Sequence, residues 1–220
     1  MKLTTSVIAL SALIRFLVAC KKEKIEDIQQ TSTPKSYASF LPMTVGNYWI
    51  YQRFNMDGSG NENQTTFYDS IYIEKDTLIN GKTYFKQVTT NPSYLTIATY
   101  LRDSIHYIVN NKGEIMFSSE DFTNTFNESY ELGLTGVDTL YFMHSKMTDK
   151  DQSITTPSGT YTTSNFQITY SFPPSTSIFQ ETRYANKRYA KNVGVVIETF
   201  NLSQSNSSYQ ERRLVRYHLE

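Results

Sequence analysis

Histidine, cysteine and acidic side chains are the groups in this sequence that could take part in catalysis or metal binding. The histidines stand alone as His106, His144 and His218, with no His-x-x-x-His or His-Glu-x-x-His spacing to place two metal ligands on one helix face. Cys20 is the single cysteine, which excludes an internal disulfide and a cysteine-based zinc or iron–sulfur site. Nucleophile-elbow, P-loop and dinucleotide motifs are also absent. We therefore predict no catalytic residue, no metal and no cofactor, and an enzyme would depend on pairs of Asp and Glu.

The charge and composition exclude several classes of protein. Lys and Arg number 21, Asp and Glu also number 21, and no sustained basic block is present, so we expect no nucleic-acid partner. Gly at 9 and Pro at 6 are too few for a collagen-like or low-complexity chain. The remaining class is a globular domain preceded by a segment that specifies its location.

The N-terminal segment has the layout of a secretory signal. Lys2 precedes an apolar run over residues 7–14, and a small residue, Ala19, stands at the end of the segment. The run is shorter than the roughly 20 apolar residues that a membrane-spanning helix needs. Arg15 lies near one end of the apolar segment, from which a long charged side chain can reach water.

Leu17-Val18-Ala19-Cys20 resembles the bacterial lipobox, the motif in which the cysteine is lipidated and becomes the first residue after cleavage. The resemblance implies a signal peptide over residues 1–19, lipidation at Cys20 and a membrane partner, with the protein anchored to the outer membrane of the cell envelope. Each buried CH₂ of an acyl chain adds about 0.8 kcal/mol of membrane affinity, so several chains give a stable anchor. The alternative is an ordinary signal peptide with an incidental cysteine.

Residues 20–39 are polar and charged and lack apolar periodicity, which is typical of a flexible tether. The charges in Lys21–Asp27 resemble the segment that directs some Bacteroidetes lipoproteins to the cell surface. Because Lys24 interrupts the acidic residues, a plain solvated tether is the alternative. The sequence leaves open whether the protein faces the periplasm or the cell exterior.

Residues 40–220 are predicted to form one all-β domain of about ten short, mainly antiparallel strands. Tyr and Phe number 17 and 13, and with Thr, Val and Ile they favour strands over helices. Asn80-Gly81 is the strongest hairpin signal, since both residues tolerate the positive φ of a type I′ turn. We expect a curved open sheet, a half-barrel or a sandwich. At most one short helix is expected, over residues 118–132, where Ser118 and Asp121 form a capping pattern and aromatic residues recur at every fourth position.

Four short segments stand in an order that resembles the uncharacterised β-rich envelope lipoproteins of Bacteroidetes. They are Leu41–Tyr51, Leu132–Leu140, Thr156–Tyr161 and Tyr189–Val196. Together they extend over most of the predicted domain. The resemblance implies a β-rich fold and an envelope location, and it carries no catalytic residue over to this sequence.

Four tripeptides of the form Asp-Ser/Thr-aliphatic resemble the acceptor for O-glycosylation of exported Bacteroidetes proteins. The resemblance makes their hydroxyl residues candidate glycosylation sites, namely Ser70, Thr77, Ser104 and Thr139. The alternative is that an Asp in a turn, followed by a β-favouring hydroxyl residue and an aliphatic one, marks the start of a strand.

Aromatic residues are dense in the predicted strands. Trp49, Tyr51, Tyr68 and Tyr72 are the candidate residues of an aromatic ligand surface. Flat rings with polar tips stack on sugars or line an apolar cleft. The alternative is that these rings fill the core of the sheet.

Three functions are compatible with the sequence, and each predicts a different site. The first is a non-enzymatic, lipid-anchored binding or structural module, for which an open aromatic platform would indicate a glycan ligand. The second is a carrier or chaperone for a hydrophobic ligand such as a lipid or lipoprotein, which predicts an apolar cavity free of charge. The third is a carboxylate-based glycan hydrolase, which predicts two carboxylates about 5–10 Å apart in a cleft. The sequence predicts no oligomeric state.

Overall fold

A computed structural model of the protein describes residues 39–91, 95–133, 136, 138–174, 182–200 and 208–220. The predicted signal peptide, the lipidation site Cys20 and the tether up to residue 38 lie outside the described residues. All of the strands belong to one compact unit, Tyr37–Glu220.

The described residues contain strands and no helix. Within the strands, side chains alternate between the two faces of the sheet, as in the first strand, where Trp49 and Tyr51 are buried and Tyr48 and Ile50 are partly exposed. The strands are β1 Tyr48–Met56, β2 Glu62–Ile79, β3 Lys82–Thr90, β4 Thr96–Ser104, β5 Tyr107–Asn110, β6 Ile115–Ser118, β7 Asn127–Leu132, β8 Thr139–Thr156, β9 Gly159–Ser171, β10 Arg183–Ala190, β11 Gly194–Phe200 and β12 Tyr209–His218.

The strands form one antiparallel sheet in the order β6-β5-β4-β3-β2-β1-β12-β11-β10-β9-β8-β7. Neighbours in the sheet are neighbours in sequence, with one exception: β1 pairs with β12, and this pairing joins the two ends of the domain. The sheet curves into a nearly closed barrel, whose edges are β6 and β7. The all-β prediction is confirmed, and of the predicted shapes the half-barrel comes nearest to the observed one.

The Asn80-Gly81 hairpin forms as predicted. It joins β2 to β3, and the two residues have φ values of 50° and 74°. Positive φ at both central positions is the defining property of a type I′ turn, whose twist matches that of the flanking strands.

The helix considered for residues 118–132 does not form. The chain instead ends β6 at Ser118, passes through a loop and forms β7. The capping pattern is real but local, because Ser118 Oγ accepts hydrogen bonds from the backbone N–H groups of Glu120 and Asp121 and stabilises a turn. The aromatic spacing arises because the loop residues Phe122 and Phe126 both pack against the core.

A side chain joins the two edges of the sheet where backbone pairing ends. Asn127 on β7 donates from Nδ2 to the carbonyl oxygen of Ile115 on β6 at 2.7 Å, and its Oδ1 accepts from the Ile115 N–H at 3.1 Å. The amide therefore takes the place of a paired backbone residue, which satisfies polar groups that an open edge leaves unpaired.

The two ends of the barrel differ. One end, named here the plugged end, is covered by residues 39–47. From this segment Leu41 enters the core at 4% exposure, and the Phe40 ring packs at a tilt against Phe117, with ring centres 4.6 Å apart. The opposite end, named the cavity end, is where β9 and β11 finish and β8 and β10 begin. The barrel interior is therefore filled at the plugged end.

Candidate functional site

An apolar cavity of about 360 Å³ lies against the inner face of the barrel at the cavity end. Alternate residues of β9 point into it, because residues two apart share a face of a strand. Its apolar walls include Leu140, Phe166, Ile168, Tyr170, Phe172 and Phe200. Ala185 on β10 adds a small side chain to the wall, and Lys187 and Glu198 are its charged lining residues.

The charged lining belongs to a larger group inside the barrel, named here the inner charge cluster and made of Arg53, Asp69, Lys187, Glu198 and Arg212. These residues come from β1, β2, β10, β11 and β12, which are adjacent in the sheet. Strand pairing places Arg53 opposite Arg212, Arg212 opposite Glu198 and Glu198 opposite Lys187. The cluster is therefore a continuous row across neighbouring strands.

Asp69 is the most buried member of the inner charge cluster, at 1% exposure. Arg53 donates from Nε to both Asp69 oxygens at 3.0 Å and from Nη2 to Oδ1 at 2.7 Å. Arg212 Nη1 lies 3.6 Å from Asp69 Oδ2. A carboxylate held between two guanidinium groups is compensated for its loss of water, which a lone buried carboxylate would not be.

Glu198 is held by Arg212, which it shares with Asp69, and by Lys187. Arg212 donates from Nε to Glu198 Oε2 at 2.9 Å, and Lys187 Nζ lies 2.8 Å from Oε1. Burial alone would raise the pKa of Glu198, but the charges of Arg212 and Lys187 outweigh it and lower that pKa to about 2. Glu198 is thus ionised near neutral pH and lacks the raised pKa that a general acid needs there.

Aromatic rings connect the inner charge cluster to the cavity. The guanidinium carbon of Arg53 lies 4.9 Å from the centre of the Phe200 ring, and that of Arg212 lies 5.1 Å from the Tyr51 ring. Phe200 also lines the cavity. Cation–π contact places these charges at the boundary between the polar interior and the apolar space.

A smaller cavity of about 80 Å³ lies deeper in the barrel. Its lining includes Trp49 and Tyr51, and it shares Met116, Lys187 and Glu198 with the larger cavity. These three shared residues lie between the two spaces, so both spaces border the same ion pair.

The four residues predicted as an aromatic ligand surface lie on opposite faces of the sheet. Trp49 and Tyr51 are each 1% exposed and belong to the core. Tyr68 is 50% exposed, and Tyr72 is half-buried on the outer face, opposite Tyr48. Trp49 and Tyr51 therefore fill the core, as the alternative had it, because the residue alternation of β1 and β2 turns the two pairs away from each other. A ligand role for Tyr68 and Tyr72 stays a prediction.

The candidate glycosylation residues Ser70, Thr77, Ser104 and Thr139 are all partly exposed, and their modification stays a prediction. The acid of the first tripeptide has a structural role, because Asp69 is the buried partner of Arg53.

Two of the histidines lie beside glutamates. His106 Nδ1 lies 3.0 Å from Glu120 Oε1, and His218 Nε2 lies 3.1 Å from Glu220 Oε1. Within the residues that the structure describes, no group of three His, Cys, Asp or Glu is arranged to hold a metal ion.

Two of the segments that resemble the lipoprotein family pack against each other at the plugged end. Trp49 Nε1 donates to the carbonyl oxygen of Val193 at 2.6 Å, and the Tyr51 hydroxyl donates to that of Val195 at 2.8 Å. Gly194 lies under the indole ring with φ at +109°, and a Cβ there would lie 3.0 Å from Trp49 Nε1. These contacts join β1 to the β10–β11 turn, and the hydrogen-bonded residues are 144 positions apart in the sequence.

One of two similar solved structures shares this fold. An exported protein with a YmcC-like fold from Bacteroides fragilis aligns with 83% of this chain and 100% of its own, at 13% identity and a TM-score of 0.51. A lipoprotein from Parabacteroides distasonis aligns with 81% of this chain and 98% of its own, at 19% identity and a TM-score of 0.44. No family model and no curated protein matches the sequence. At these identities the likeness to the first structure shows a common fold.

The described part of the chain has no helix that is long and apolar enough to cross a membrane.

Proposed function

We propose that this protein is a lipid-anchored envelope protein whose barrel binds one hydrophobic ligand in the cavity at the cavity end. The observation that carries the proposal is the wall of alternate apolar residues around a space of about 360 Å³. Small-molecule sites have volumes of roughly 300–1,000 Å³ and are mainly apolar with a few placed polar groups. A barrel that only needed stability would fill this space with side chains, because cores pack without large voids.

The location follows from the N-terminal sequence. Cys20 in the lipobox-like segment would carry the acyl anchor, and the outer membrane of the cell envelope is the compartment we propose. The solved structure from Bacteroides fragilis is described as that of an exported protein, which supports an exported location for this chain.

A hydrophobic ligand fits the site better than a glycan or a hydrolase substrate. Trp49 and Tyr51, which a glycan platform would need at the surface, are buried. The two carboxylates of the inner charge cluster, Asp69 and Glu198, are each paired with two cations. A hydrolase would need one of them protonated as the acid, whereas the pKa of Glu198 is held at about 2. The charges beside the cavity differ from the charge-free lining first expected of a carrier.

Exposed apolar residues continue from the cavity wall onto the outer surface. Leu140 lines the cavity and is 37% exposed, and Phe142, two residues further along β8, is 50% exposed. Tyr130 on β7 stands directly opposite Phe142 and is 60% exposed. Contiguous exposed apolar groups are typical of sites where a hydrophobic ligand or a membrane is contacted. They give the ligand a path between membrane and cavity.

Photolabelling with a diazirine-bearing analogue of lauric acid tests the proposal. We expect the label in the full chain, carrying Cys20→Ser so that it stays unlipidated, to concentrate in Phe166–Phe172 and Ala185–Lys187. Excess unlabelled laurate should remove this labelling, because both compete for one space. Labelling spread evenly over the outer faces of β2, β3 and β4, or insensitive to the competitor, would rule the proposal out.

A further inference from the structure

The inner charge cluster indicates the chemistry of the ligand, and this inference rests on the function proposed above. We infer that the ligand is an amphiphile with a single negative charge, a long-chain carboxylate, whose head group pairs with Lys187 while its chain fills the cavity.

The first observation is an imbalance of charge. Arg53, Lys187 and Arg212 carry three positive charges, and Asp69 and Glu198 carry two negative ones. The side chains of all five are one-quarter exposed or less. Buried charges are costly unless paired, so one uncompensated positive charge beside an apolar cavity favours an anion in that cavity.

The second observation concerns hydrogen-bond donors, and it identifies Lys187 as the cation of the cluster whose donors are least used. Arg53 uses Nε and Nη2 on Asp69, and its Nη1 lies 3.4 Å from Gln210 Oε1. Arg212 is shared between Glu198 and Asp69. Among the described residues, Lys187 Nζ has Glu198 as its one ion-pair partner. Since an ammonium group has three donors, Lys187 can bind a second carboxylate.

The third observation is position. Lys187 lines both cavities and lies opposite Phe166 on β9, whose ring forms part of the larger cavity's wall. A head group bound at Lys187 would leave the ligand's chain to extend along Ile168 and Tyr170 toward the cavity end. The residue order on β9 therefore matches the polarity of a fatty acid, with its charge inside and its methyl end outward.

Charge counting also separates carboxylates from phosphates. One carboxylate neutralises the excess charge of the cluster, whereas a doubly ionised phosphomonoester would leave it negative next to Glu198. Like charges held close in a site of low dielectric repel strongly. The single-charge class is therefore favoured.

Displacement of N-phenyl-1-naphthylamine, an uncharged fluorescent probe of apolar sites, compares laurate with dodecanol on the full Cys20→Ser chain. We expect laurate to displace the probe at about tenfold lower concentration than dodecanol, as one charge-assisted hydrogen bond provides. Lys187→Met should abolish the difference, because the carboxylate of laurate would lose the cation assigned to it. Lys191→Met, at an exposed turn position, is the matched control and should behave as wild type.

The outcomes separate the two proposals. If laurate and dodecanol bind equally to the wild-type protein, the carboxylate inference is wrong and the hydrophobic cavity stands. If neither displaces the probe, both proposals are wrong. If Lys187→Met keeps the preference for laurate, the assignment of the head group to Lys187 is wrong. Lys187→Gln gives the same test should the methionine variant fail to fold, and Lys187→Arg should retain the preference.

Discussion

Replacement of Asp69 with asparagine is expected to lower the free energy of unfolding by about 3–5 kcal/mol. Asp69 is 1% exposed and accepts hydrogen bonds from Arg53 through both carboxylate oxygens. Without its charge, Arg53 and Arg212, which lie opposite each other on β1 and β12, would lose the carboxylate they share. Glu198, which contacts Arg212 and Lys187, would be the one carboxylate left in the inner charge cluster. Removal of one member of a buried ion pair leaves its partner uncompensated, which costs far more than the pair itself contributes.

Urea unfolding measured by far-ultraviolet circular dichroism checks this expectation. Asp76→Asn is the matched control, because Asp76 lies on the same strand but is exposed. It should change the free energy of unfolding by less than about 0.5 kcal/mol. If the two variants are equally stable, the inner charge cluster does not have the structural role assigned to it.

The second large effect is expected from Gly194→Ala. Gly194 has φ at +109°, and a methyl group there would lie 3.0 Å from Trp49 Nε1 and 3.3 Å from Cε2. Strain of the backbone and displacement of a fully buried indole should together cost about 3 kcal/mol or more. We also expect the tryptophan fluorescence of the folded variant to shift, because Trp49 is the only tryptophan and its hydrogen bond to Val193 would be disturbed.

Gly60→Ala separates the two causes. Gly60 also has positive φ, at +83°, but nothing lies within 4 Å of a Cβ placed there. This control therefore carries the backbone strain without the clash, at a cost of about 1 kcal/mol. Equal destabilisation by the two alanine variants would contradict the assigned contact between Gly194 and Trp49.

Local sequence patterns predicted the fold class well, because they reflect interactions between near neighbours. Alternation in β1, the Asn80-Gly81 turn and the aromatic, β-branched composition each specify strands directly. The pairing of β1 with β12 joins the two halves of the sheet, and no local pattern encodes it. It depends on contacts such as that of Trp49 with Val193, which are separated by most of the domain. The helix considered over 118–132 does not form for the same reason. The spacing of Phe122 and Phe126 reflects their packing against core residues that are distant in sequence.

The candidate site was largely missed from the sequence. Aromatic and aliphatic residues at every second position from Phe166 to Phe172 are a signal of one apolar wall, but a core strand has the same pattern. Lys187 is a more specific signal of a site, because it places a charge on the inward-facing side of β10 between Ala185 and Tyr189. Its partner Glu198 lies on another strand, so the ion pair became visible only with the pairing of β10 and β11. Asp69 was interpreted through its tripeptide, whereas its neighbour in space is Arg53.

The central claim is that the space beside β9 and β10 is a ligand site, and a filled-cavity variant tests it most directly. Ala185→Trp would place an indole in the cavity without altering the inner charge cluster, and Ala98→Trp at an exposed position of β4 is its control. Calorimetric titration with laurate should give a dissociation constant at least about tenfold higher for Ala185→Trp than for wild type, a loss of about 1.4 kcal/mol, with Ala98→Trp unchanged. Equal laurate affinity in all three proteins would contradict the claim.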